Sequence, residues 1–253
     1  MPNQNYFEPY LFYGVIRPER ASLNFQYPKP ERYSLSLRDN KFDVELKISV
    51  ILNQLAVTVE TAIDWDVFDL RNFIATIIQY DLAIISFITG NAYSFELTRC
   101  IHRRSGIDQV FGIDIPAIAN RQKAKSSATL AARFSKIKRK AIGNDGILLN
   151  RCFSDLASAM KYHNDSPFYC YRAIEALRNH CAAQNGLLDS DDPAQWQKFR
   201  EVTGLSKEDI TRYKDKHADK LRHGKPSDPM TDQERADMFV WTWDIVDKYL
   251  DSI

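Results

Sequence analysis

Much of what usually identifies a protein is missing from this chain of 253 residues. Cys100, Cys152, Cys170 and Cys181 show no CxxC or CxxCH spacing, and the five histidines form no ligand cluster with them, so neither a metal nor a disulfide framework is expected. No GxGxxG, P-loop, HExxH or G-x-S-x-G motif occurs, which excludes the commonest nucleotide, zinc-protease and hydrolase signatures and leaves no cofactor expected. Excess charge is absent too. With 34 basic and 33 acidic residues and a net charge of +1, no global field draws in nucleic acid or an anionic membrane, so such binding needs a local patch. The most apolar stretch, Val67 to Ile88, contains Asp69, Arg71, Gln79 and Asp81 and reads as a buried core helix rather than a membrane anchor. The start, Met-Pro-Asn-Gln-Asn, lacks the cationic and apolar regions of a signal peptide, and the expectation is a cytoplasmic protein with reduced thiols.

What the chain has is two kinds of periodicity. From Tyr10 to about Thr61 the pattern has period two: Val44, Leu46, Ile48 and Val50 alternate with polar residues, and Leu55, Val57 and Val59 resume after an Asn53-Gln54 break. "RDNK" at 38–41 supplies a turn, and the whole predicts an antiparallel meander. A helix comes next, with Asp66 or Asp69 as N-cap and Gly90 at its end, then strand-like runs from Tyr93 to Ile101 and from Val110 to Ile115. Beyond Gly146 the signals are helical: Ser166-Pro167 and Asp192-Pro193 each start a helix, and Ser206 with Asp209 and Thr231 with Glu234 are spaced as capping boxes. The fold class is therefore α+β. A β-rich domain with one long buried helix occupies 1–120, a basic linker or helix 121–146, and an all-α bundle of four or five helices 147–253.

One segment is strongly one-signed. Arg121, Lys123, Lys125, Arg133, Lys136, Lys138, Arg139 and Lys140 fall within twenty residues that contain no acid, which suits either a phosphate-contacting surface for RNA or a solvated linker.

The helix from Ser206 carries a second polar feature. On a regular helix Arg212, Lys216, Asp219 and His223 share one face, while His217 falls among Ile210, Tyr213 and Leu221 and reads as packing. Gly224 and Pro226 stop the helix at His223, where cations suit the carbonyl end of the macrodipole in any case. On the helix from Ser166, Arg172, Glu175 and Asn179 form a polar strip opposite Cys170, Ile174, Leu177 and Cys181. If that strip faces Asp219 and His223, a carboxylate can orient the imidazole and an arginine can offer a forked donor. If it faces water, the strip has no such role.

"FYCYRAIEALRNHCA" (168–182), "KDKHADKLRHGK" (214–225) and the capped "TDQERADMFVWTWDIVDKYL" (231–250) occur in order, and in these the C-terminal half resembles the HEPN superfamily, in a group of bacterial two-part proteins with a β-rich N-terminal half. The resemblance implies an all-α bundle that forms a homodimer and, in many members, cleaves RNA without metal through an arginine followed four to six residues later by a histidine at the dimer seam. His223-Gly224 matches the end of that motif, but the position five before His223 is Ala218, and the literal spacing is met only by Arg212 and His217.

Two functional readings are open. In the first, His223 takes the proton from a ribose 2′-OH while Arg222, Arg212 or Lys216 stabilises the phosphate charge, and Asp219 or Glu175 holds the ring, with Arg172 and His217 as further candidates. The resemblance makes such a protein a toxin or antiviral defence nuclease. In the second, the bundle is a non-catalytic dimerisation module whose aromatic last helix (Phe239, Trp241, Trp243, Tyr249) packs a core or a partner, and the N-terminal domain binds a ligand or protein.

Overall fold

The structure, a computed structural model, describes residues 10–27, 29–37, 40–112, 114–122, 126–143, 145–226, 228 and 230–253. It divides into two units, 1–113 and 114–253. The basic segment therefore belongs to the helical unit and is not a linker between the two.

The first unit is a seven-stranded antiparallel sheet crossed by one helix. Its strands are β1 (Tyr10–Arg17), β2 (Phe25–Gln26), β3 (Glu31–Leu37), β4 (Asn40–Ile51), β5 (Gln54–Thr61), β6 (Ser94–His102) and β7 (Ile107–Val110). The order is β2-β4-β5-β1-β6-β7, with β3 also on β4, so the expected meander is only partly realised: β1 is inserted between β5 and β6. Alternation drives the pairing, because Val44, Leu46, Ile48, Val50, Leu55, Val57 and Val59 all point to one buried face. The expected Asn53-Gln54 break is a two-residue hairpin in which Leu52 and Asn53 both take positive φ (46° and 65°), the combination that matches strand twist. Asn53 is also a clasp. Its side chain accepts from Leu23 N–H at 2.6 Å and donates to the carbonyls of Ile16 and Pro18, each at 3.2 Å. Arg38 and Asp39 of the expected "RDNK" turn lie outside the described residues. The second late run is displaced: β7 ends at Val110, where the pattern places the start of a strand, and Phe111 turns into the core.

Between β5 and β6 runs α1 (Val67–Thr89), capped by Asp66, whose carboxylate accepts from Phe68 N–H and Asp69 N–H, and closed by Gly90 at φ 72°. Only Leu70, Ile74, Ile78 and Leu82 are fully buried, one residue per turn against the sheet. The expected buried helix is buried on its sheet-facing side only, and Phe87 is 91% exposed. By length and composition α1 is also long and apolar enough to cross a membrane, whereas the Asp69, Arg71, Gln79 and Asp81 interruptions predict otherwise.

The second unit contains α2 (Pro116–Gln122), α3 (Ser127–Lys140), α4 (Gly146–Lys161), α5 (Ser166–Gln184), α6 (Asp192–Thr203), α7 (Lys207–Thr211), a π-helical turn (Lys214–Ala218), α8 (Asp219–Arg222) and α9 (Asp232–Ser252). Both capping boxes form, with Ser206 and Asp209, and Thr231 and Glu234, satisfying each other's backbone N–H groups. The central helix is α5: Cys170, Ala173, Ile174, Leu177 and Cys181 meet α4 and the α9 residues Met238, Phe239, Trp241, Ile245, Val246 and Tyr249 in one core. Most of the aromatic surface of α9 is consumed in that core, and all four cysteines are buried and unbridged.

Candidate active site

The segment from Ser206 to Gly224 is not the regular helix that a common polar stripe requires. It starts as α7, passes into a π-helical turn in which Ala218 N–H reaches back to Tyr213 carbonyl at 3.2 Å, and resumes as the single turn α8. A π turn adds one residue to the helix and rotates the downstream residues by about 100°, so those before and after it leave their common face. The expected alignment of Arg212, Lys216, Asp219 and His223 is corrected accordingly.

Each expected residue can be placed. Arg212 borders a cleft of about 410 Å³ lined also by Leu205, Asp209, Trp241 and Lys248. Lys216 pairs with Glu234 at 3.2 Å. Arg172 forms a two-pronged ion pair with Asp155, with Nε at 2.9 Å, and stacks over Phe168 and Tyr169, so it faces α4 and not the His223 end. His217 is 1% exposed, in agreement with packing; burial and the neighbouring Lys216 hold its ring below the ordinary imidazole value, and Nδ1 has no hydrogen-bond partner. His223 caps the C-terminus of α8 with its ring exposed, and Gly224 comes next at φ 69° as expected.

The structure does bring one group of these residues together. Of the α5 polar strip only Glu175 meets α8, beside the π turn: Arg222 Nη1 lies 3.6 Å from Glu175 Oε1, and Lys214 Nζ lies 3.6 Å from Asp219 Oδ2. Burial pushes the Glu175 carboxyl up, against the opposing pull of Arg222, Arg178 and Lys214. Tyr171 forms the floor, its phenol raised by burial and by the carboxylates of Glu175 and Asp219, with Lys214 Nζ 5.9 Å from its ring centre. Arg178 completes the edge, bonded to Asp192 at 2.8 Å and to Asn179, and stacked 5.0 Å from the Trp196 ring centre. Arg178 could have been found three residues after Glu175 on the α5 strip. Lys214 could not, because its approach to Asp219 depends on the π turn.

Several cations of the basic segment have acidic partners on α9. Arg121 of α2 pairs with Asp244, Arg133 of α3 with Asp247, and Lys136 with Asp251 at 4.0 Å, while Lys140 donates to the Ile253 carbonyl. Asp244, Asp247 and Asp251 form a ridge along α9 that these cations face. Lys138 and Arg139 remain exposed, and Lys123 and Lys125 lie outside the described residues.

Together these features define a two-part α+β protein: an antiparallel sheet with one covering helix, then a helical unit with a charged cluster at a helix end. Residues 10–111 match the family model described as the N-terminal domain of a domain of unknown function (DUF8168), and residues 134–253 match the model described as its C-terminal domain; the chain belongs to this family. No curated protein and no solved structure matches.

Proposed function

We propose that the helical unit is a HEPN-like, metal-independent endoribonuclease module whose site is completed by a second copy, acting in the cytoplasm as a toxin or antiviral defence effector. The observation that supports this is the adjacent Arg222–His223 pair at the end of α8, with the imidazole exposed and the guanidinium steered by the half-buried Glu175. An exposed His223 can take a proton from a ribose 2′-OH, which then attacks the adjacent phosphorus. Arg222 offers a planar fork to the phosphate oxygens, a role Lys216, held by Glu234, does not fill. Two copies related by a two-fold axis can supply the imidazole and the guanidinium to one phosphodiester from opposite sides.

The second reading, a non-catalytic dimerisation module, is favoured by the dispersal of Arg172, Arg212 and Lys216 to other partners. One experiment separates the two. Purified protein is incubated with unstructured RNA in EDTA, alongside His223→Ala, Arg222→Ala and an equimolar mixture of these two variants. The expected result is cleavage by the wild type, loss in each variant by about 100-fold or more, and partial recovery in the mixture. Cleavage unaffected by either substitution overturns this site, and an uncleaved RNA with a wild-type dimer in solution favours the module.

A further inference from the structure

The first unit holds a constellation that the helical unit does not involve. His102, the last residue of β6, is opposite Tyr10 in the β1–β6 register and lies flat on its ring, with centroids 4.1 Å apart and planes 9° apart. Tyr10 is itself fixed, since its hydroxyl accepts from Trp65 N–H at 3.0 Å. The imidazole is therefore held in one plane by a core residue. Ser105 Oγ lies 2.8 Å from His102 Nδ1, on the exposed turn closed by Gly106, whose N–H reaches the Arg103 carbonyl. On the opposite side of the ring, Nε2 is buried without a hydrogen-bond partner, and the carboxylate of Asp64 stands 4.0 Å from it.

The Ser105 hydroxyl has two acceptors in reach, His102 Nδ1 at 2.8 Å and the His102 carbonyl at 3.4 Å. The tautomer the site requires carries its proton on Nε2, toward the Asp64 carboxylate, and leaves Nδ1 to accept from Ser105. Asp64 is 62% exposed on its side chain and able to close the remaining gap as positive charge develops on the ring. We propose that Ser105, His102 and Asp64 form a nucleophilic serine site for acyl transfer from small esters, with Ser105 as nucleophile, His102 as general base and Asp64 as a positioning residue.

In the reaction, the Ser105 Oγ–carbon bond forms as the Oγ proton passes to Nδ1; the ester carbon–oxygen bond then breaks, and the departing alkoxide takes that proton. Water, activated by the same nitrogen, releases the acid and restores the serine. The exposed Arg103 on the same turn favours esters that carry negative charge. Only residues of the first unit are used, so the site stands or falls independently of RNA cleavage.

The test uses the full chain and a fluorophosphonate probe, which phosphonylates an activated serine with loss of fluoride, with mass spectrometry of the modified peptide and para-nitrophenyl acetate hydrolysis as readouts. Labelling is expected at Ser105, absent in Ser105→Ala and lowered about 100-fold in His102→Gln. Asp64→Asn, on an exposed side chain, is expected to lower kcat about 10-fold with KM unchanged. An unlabelled wild type, labelling elsewhere only, or kcat unchanged in Asp64→Asn would each reduce the Ser105–His102 contact to a turn clasp and overturn the proposal.

Discussion

Two residues report on pH. His217 and His180 are buried, and burial holds both rings below the ordinary imidazole value, His180 with Nδ1 2.6 Å from the Tyr249 hydroxyl. The folded chain therefore resists protonation that the unfolded chain accepts, so stability is complete above the ordinary imidazole range and is lost as pH falls through it. Urea midpoints measured at pH 7 and pH 5.5 are expected to drop on acidification, and the drop is expected to shrink in His217→Gln. A second residue-scale expectation concerns Asp155, buried on α4 and held by Arg172 and, at 3.4 Å, by Arg151. Removing its main partner leaves the buried charge to Arg151 alone, so Arg172→Ala is expected to destabilise the chain in urea unfolding by about 1–3 kcal/mol, and Asp155→Asn in the same chain to return part of it. Asn53 supplies a third case: Asn53→Gly keeps the left-handed backbone but abandons three side-chain hydrogen bonds, one buried and two part-buried, and a loss of about 1–3 kcal/mol is expected.

At the scale of elements, α3 is the helix held most lightly. No residue in it is buried, and Arg133, Lys136 and Lys140 tie it to α9. Such pairs contribute about 0–1 kcal/mol each and weaken with salt, so amide exchange in 127–140 is expected to accelerate between low and high ionic strength while α5 stays protected. A charge swap, Arg133→Asp with Asp247→Arg, is expected to restore the slow exchange that either substitution alone removes. These contacts also mark what is legible in the sequence and what is not. The caps are legible because Ser206–Asp209 and Thr231–Glu234 are local chemistry, and the burial of His217 and exposure of His223 can be read from their apolar and terminal neighbours. The ion pairing of the basic stretch is not, because its acidic counterpart on α9 lies more than a hundred residues away. The insertion of β1 between β5 and β6 is equally illegible, since alternation specifies a strand's buried face and not its neighbours. The polar stripe fails for a third reason: the π turn is a change of pitch that regular periodicity cannot represent.

At the scale of the whole molecule, two separate cores, one of strands and α1 and one of helices, imply two cooperative units. Calorimetry of the full chain is expected to resolve two transitions, and Phe199→Ala, which opens a cavity in the helical core only, to lower one of them while the other keeps its midpoint. The bare side of α1 carries a different implication for anyone handling the protein. Ile84, Phe87 and Ile88 present hydrocarbon to water at the end of a helix, and from Leu82 to Phe95 the chain has no ionisable side chain apart from Tyr93 to keep molecules apart. Concentration-dependent self-association through this face is therefore the expected outcome of light scattering, reduced in Phe87→Lys. A lysine at Phe87 or Ile88 would thus separate stickiness of this helix end from any pairing of the helical unit in a mass measurement.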